Sequence, residues 1–237
     1  MKLWYCYFSL FGLVNATTLL PAQSVEIHRM LDSIATASSA DQYAIVCKLT
    51  RYRVWDFDPA AREKVGSQLR PDRFYLREWV LLAGFLGLEE QLRLLLEEKE
   101  LSKTLRQTIY FALVRCGDEP QLQQLMRKIR TIPVDDEFVY RLVPLLIYTR
   151  RKEVTDYLLE LLQKEDRNCT PADAETPGVI NCAYRILEYL APAIRDFPLK
   201  LEASGNLATD NYVKALQLVR AWIAERKDHY DLNRTTY

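Results

Sequence analysis

From position 58 onward the apolar residues recur at intervals of three and four, in short runs closed by glycine or proline. That spacing predicts helix after helix. Asp58-Pro59 has the form of an N-cap followed by proline at the first helical position, opening a helix to about Leu69. Pro71-Asp72 marks a turn, and Phe74 to Leu86 is an apolar helix closed by Gly87 as a left-handed cap. Glu89 to Glu98 follows, with Leu92, Leu95 and Leu96 on one stripe. Ser102 caps a helix to Cys116, Gly117 ends it, and Glu119-Pro120 starts the next, Gln121 to Ile129, before Pro133. Asp135, Asp136 and Glu137 place negative charge on the first turn of a helix that runs to about Arg151. Val154 to Leu162, Ala183 to Ile194 and Asp210 to Lys227 complete the set. No run alternates as a strand does, so the fold class is all-α.

The helices come in pairs that resemble one another. YLREWVLLAGFLGLEEQLRLLL from Tyr75, TLRQTIYFALVRCGDEPQLQQLM from Thr104 and VYRLVPLLIYTRRKEVTDYLLEL from Val139 share one plan. An apolar or aromatic residue precedes an arginine, then come an apolar helix, a short break and a second helix with leucines. Ala183-Tyr184-Arg185-Ile186-Leu187 begins a fourth copy, which sets Arg77, Arg106, Arg141 and Arg185 at steps of 29, 35 and 44. A loose period of this size in a helical chain suggests an α-solenoid of stacked antiparallel helix pairs, with irregular repeats. The phrase Ala112-Leu113-Val114-Arg115-Cys116-Gly117-Asp118 looks like the helix-to-helix turn of the HEAT-like repeat family, and the chain resembles that family over about residues 58 to 195. The resemblance implies extended faces of the kind such families use to hold proteins or peptides.

The amino-terminal stretch is written differently. Lys2 is followed by an apolar run to about Val14, and Ala22-Gln23-Ser24 places small residues at the −3 and −1 positions of a cleavage site. That order is the order of a secretory signal peptide over residues 1–24. Asn15, Thr17, Thr18 and Pro21 interrupt the run, so it falls short of the roughly 20 apolar residues of a span. The expectation is an exported protein, secreted or periplasmic, with residues 25–237 as one helical domain and no stable membrane insertion after cleavage.

The cysteines suit export. Beyond Cys6 they number four, Cys47, Cys116, Cys169 and Cys182, and four cysteines allow three pairings. The local pair is favoured, because Cys169 and Cys182 bracket NCTPADAETPGVINC, the most loop-like stretch of the chain. A Cys169–Cys182 disulfide would close the loop around 166–182. There is no C-x-x-C, and neither His28 nor His229 lies near these cysteines in sequence, so no metal site is expected.

Charge narrows the partners. Thirty-two basic residues balance 32 acidic ones, which gives no footprint for nucleic acid. A protein or peptide partner is the expectation, and nothing calls for a cofactor. If the four arginines are equivalent, they could form a ladder along one face and hold carboxylates through bidentate hydrogen bonds; pairing with carboxylates of the neighbouring repeat is the competing role. RYRVWDFDP, residues 51 to 59, adds Tyr52 and Trp55 as candidates, since tyrosine, tryptophan and arginine favour binding hot spots. The competing role there is a cover over the end of the stack, with Asp58 as a helix cap. Arg150-Arg151-Lys152 reads as a basic cluster at a helix C-terminus.

Catalysis finds little support. The sequence has no P-loop, G-x-S-x-G, H-E-x-x-H or dinucleotide fingerprint. Asp56 with Asp58, Asp135 with Asp136, and Asp173 with Glu175 are the nearest carboxylate pairs, and loops or helix starts account for each. The HEAT-like resemblance includes an enzymatic DNA-repair branch, against which neutral charge and export both argue. The sequence therefore points to a binding or scaffolding protein without catalysis. The alternatives are an enzyme with a carboxylate site between repeats and a structural subunit of an envelope assembly.

Overall fold

A computed structural model describes residues 22–171, 178–226 and 229–237. Among these the protein is all-α. Its helices are α1 (Ala22–Ser33), α2 (Ser39–Leu49), α3 (Pro59–Gly66), α4 (Leu76–Leu86), α5 (Glu89–Leu96), α6 (Lys103–Cys116), α7 (Glu119–Ile129), α8 (Val143–Tyr148), α9 (Lys152–Leu161), α10 (Ala183–Leu190) and α11 (Tyr212–Arg226). A 3₁₀ turn spans Val54–Asp56 and a π-turn spans Phe138–Leu142. Extended pairing among the described residues is confined to isolated bridges, Cys169 with Ile180, Ile194 with Leu232, and Leu201 with Leu207.

Local chemistry explains most boundaries. The side chains of Asp58, Ser102 and Asp118 accept the amides of Ala61, Leu105 and Gln121, satisfying donors that a helix start leaves bare. Gly87 (φ +75°) and Gly117 (φ +113°) close α4 and α6 in the left-handed region, where a side chain would be strained.

Several extents differ from the sequence reading. Residues 25–57, left without helices there, hold most of α1 and all of α2. Phe74 lies outside α4, because Tyr75 adopts a left-handed φ of 56°. The helix expected from Asp135 to Arg151 is present as one helical run over residues 136–148, with Phe138–Leu142 in π form ahead of α8. Pro144 cannot donate to the carbonyl four residues back, and Arg150 turns left-handed at φ 50°. α10 stops at Leu190, before Pro192. Residues 1–21 of the expected signal peptide lie outside the described residues, whereas Ala22-Gln23-Ser24 forms the first turn of α1.

Packing builds one continuous interior from two clusters. The first joins Ile27, Val46, Phe57, Trp79, Leu92 and Leu113; the second joins Phe111, Phe138, Leu158, Ile186 and Val219. They meet along α4 and α6. Gly84 permits the approach, since a Cβ there would lie 2.7 Å from the Cβ and 2.8 Å from the Cα of Ala112. α4 packs on α6, α6 on α8 and α8 on α10, while α5, α7, α9 and α11 pack against α4, α6, α8 and α10 in turn. The Cys169–Cys182 disulfide is formed. Beside it, Asp136 accepts hydrogen bonds from the Thr170 amide and hydroxyl. No helix among the described residues is long and apolar enough to cross a membrane.

Candidate functional site

A groove of about 790 Å³ lies between the starts of α4 and α6 on one side and the π-turn and α8 on the other. Arg77 comes from the first turn of α4, Thr104 and Gln107 from that of α6, and Tyr140 and Arg141 from the π-turn. Arg77 is half exposed and reaches Glu78 at 3.4 Å. The Arg141 side chain is 78% exposed and pairs with Glu137 at 3.1 Å. Such exposed pairs contribute little to stability and leave both guanidiniums able to exchange partners. Tyr140 is an exposed aromatic, and the Arg185 guanidinium lies 5.8 Å from its ring centroid. Three of the four arginines singled out by spacing thus converge around Tyr140 and this groove.

Arg106 does not share that environment. Its guanidinium donates to the carbonyls of Leu96 at 2.9 Å, Lys99 at 3.2 Å, and Glu98. It closes the end of α5 and its following turn, which a helix C-terminus requires. A shared place in the repeat pattern therefore does not give four equal positions.

Tyr52 and Trp55 line a second groove of about 430 Å³ with Lys48, Arg51, Arg53 and Asp56. Trp55 is 58% exposed, with the Arg53 guanidinium 5.4 Å from its ring, while its neighbour Phe57 is buried. Burial and a hydrogen bond to Glu26 push the Tyr52 phenol up.

The carboxylates are occupied by the fold. Asp56 accepts the Arg53 amide at 2.8 Å, and Asp135 accepts the Phe138 amide at 2.9 Å. Asp173 and Glu175 lie outside the described residues. Asp58 accepts the Ser24 hydroxyl and the His28 ring, each at 2.8 Å. Partial burial raises its carboxyl, but the Ala61 amide, His28 and Ser24 outweigh that and hold it at about 2. Ser24 donates to the carboxylate and not to His28, so the trio is a helix cap that ties α1 to α3, not a nucleophile with its base. Among the described residues, no group of three or more histidine, cysteine, aspartate or glutamate side chains is placed to hold a metal ion. Cys47 and Cys116 are free thiols, and burial pushes the Cys116 thiol up to about 12.

Sequence reasoning missed a second arginine pair. Arg115 lies between the rings of Phe85, at 5.0 Å, and Tyr148, at 4.8 Å, and donates to the Tyr148 carbonyl. Arg150 is buried, with Nη1 on the Ile147 carbonyl at 3.0 Å, as expected of a cation at a helix C-terminus. Burial and the charge of Arg115 bring its guanidinium down to about 10. The available signal was the left-over charge of the Arg150-Arg151-Lys152 cluster: Arg151 pairs with Glu119 and Lys152 with Asp156, while Arg150 turns inward. No protein-family model, no curated protein and no solved structure matches the chain.

Proposed function

We propose that the protein is an exported helical-repeat module that binds or scaffolds a protein or peptide partner in the groove of Arg77, Tyr140 and Arg141, without catalysis. The observation that carries the reading is the convergence of two exposed guanidiniums and an exposed tyrosine on one groove of about 790 Å³. Arginine and tyrosine combine charge, hydrogen-bonding capacity and apolar area, which suits a recognition surface. The solenoid reading draws support from the order of packing. α4, α6, α8 and α10 form one row, and α5, α7, α9 and α11 pack beside them. Export draws support from the Cys169–Cys182 disulfide, a bond that persists in oxidising compartments.

The test is capture of a partner from an extracytoplasmic extract by the purified chain and by an Arg77→Glu/Arg141→Glu variant, both shown to be helical by circular dichroism. A partner held by the parent and lost by the variant is the expected result. A partner held equally by both overturns this groove as the site.

A further inference from the structure

Residues 229–237 run as an extended segment that ends at Tyr237, in a cavity that shares Pro144 with this groove. The Asn233 amide donates to the Ala193 carbonyl at 2.9 Å, and the Val54 amide donates to the Thr235 carbonyl at 3.3 Å. Arg150 donates from Nε to the Asn233 carbonyl at 2.9 Å and from Nη2 to the Tyr237 carbonyl at 3.2 Å. Arg115 donates from Nη2 to the Thr236 carbonyl at 3.0 Å. The Tyr237 ring meets Phe85 edge-on at 5.9 Å and Tyr148 at 5.6 Å. The segment is therefore held along its main chain and by two aromatic rings, Tyr237 here and Tyr230 further back. The Tyr230 ring lies 6.3 Å from that of Trp222, and its hydroxyl donates to Asp156 at 2.6 Å. Main-chain bonds and aromatic anchors are elements that peptide-recognition grooves use.

Two further observations separate this slot from an ordinary packed end. First, among the described residues no carboxylate side chain bonds to either guanidinium, although Arg150 is buried and Arg115 is sandwiched between two rings. Three of their five hydrogen bonds go to carbonyls of residues 229–237. A buried cation stripped of those acceptors is costly, so the slot needs oxygen acceptors in it, which an extended backbone supplies here. Second, the segment does not fill the concavity. Tyr237 and Arg150 line a cavity of about 440 Å³, and Pro144 belongs both to that cavity and to the groove of Arg77.

We infer that the slot formed by Phe85, Arg115, Tyr148 and Arg150 is a peptide-binding site, occupied here by the chain's own residues 229–237. Its exchange ligand is an extended partner segment with an aromatic side chain in the place of Tyr237. This rests on the reading that the adjoining face holds a partner, and it adds the chemistry of the segment that face selects. Being tethered, the chain's own segment has a high effective concentration, so a free peptide competes poorly until the resident anchor is removed.

The test uses a fluorescein-labelled peptide with the sequence of residues 229–237, HYDLNRTTY, and reads its anisotropy against the full chain and its Tyr237→Ala variant. The variant is expected to bind the peptide at least about tenfold more tightly than the parent does. A peptide with alanine for its final tyrosine is expected to lose at least about tenfold in affinity. A variant that keeps its helical circular dichroism yet takes up the peptide no better than the parent overturns the inference. If the variant does not fold, hydrogen exchange in the parent decides. Excess peptide is expected to expose the Asn233 amide while the Val54 amide stays protected, and unchanged exchange at Asn233 overturns the inference. Partner capture that depends on Arg77 and Arg141, without peptide uptake here, removes the slot and leaves the groove. Peptide uptake without such capture does the reverse.

Discussion

Replacing Gly84 with alanine tests the closest approach in the fold. On an open helix this change stabilises by about 0.5–1 kcal/mol, because glycine loses more backbone freedom on folding. In α4 the added Cβ meets the Cβ of Ala112 at 2.7 Å, its Cα at 2.8 Å, and the Tyr148 hydroxyl inside van der Waals contact. Overpacking of this kind costs about 1–3 kcal/mol. The Tyr148 hydroxyl is also displaced from the Leu81 carbonyl, to which it donates at 2.5 Å in a buried setting. A buried hydrogen bond broken on one side costs about a further 1–3 kcal/mol. Offsetting the helix gain, Gly84→Ala is expected to destabilise by about 2–3 kcal/mol. Urea unfolding followed by circular dichroism should then show the midpoint lowered by about 1 M. Adding Tyr148→Phe should restore little, because the Ala112 main chain remains in the way. An alanine variant as stable as the parent, or more stable, would refute the close packing of α4 on α6.

Three other outcomes can be checked. Asp58 sits at about 2 when folded against 3.8 for an unperturbed carboxyl, so its contribution is complete above pH 4 and is lost as pH falls to 2. It amounts to about 2 kcal/mol, and an Asp58→Asn variant whose stability falls as steeply as the parent's between pH 4 and 2 would contradict it. Arg106→Met should cost about 1–2 kcal/mol by freeing carbonyls at the end of α5, whereas Arg141→Met should cost under about 0.5 kcal/mol; equal losses on urea unfolding would erase the distinction between them. Reducing Cys169–Cys182, 13 residues apart, should lower stability by about 3 kcal/mol, and an unmoved midpoint under reductant would show that the closed loop does not matter.

What could be read from the sequence was local. Asp58-Pro59, Ser102, Gly87 and Gly117 mark boundaries through groups within a few residues of each, and the structure uses all four. α1 escaped because its first turn coincides with the stretch read as a cleavage site. The early end of α8 depends on the left-handed Arg150, whose guanidinium is held by carbonyls 83 and 87 positions away. Arg77 and Arg141 were found by repeat spacing, yet spacing could not tell them from Arg106, because the acceptors around Arg106 belong to the end of a different helix. The slot of Arg115 was invisible for the same reason. Its partner Thr236 is 121 positions distant, in a segment without helical periodicity.

The π-turn at Phe138–Leu142 holds one residue more than a regular helix of the same span. Each residue turns an α-helix by about 100°, so this extra residue sets which side chains face the groove. Deleting one position there would regularise the helix and swing Tyr140 and Arg141 around its axis, while α8 kept its packing. The composition of the groove is thus governed by a residue count as well as by residue identity. A lineage could redraw the lining of this groove in one step, by losing or gaining a single codon.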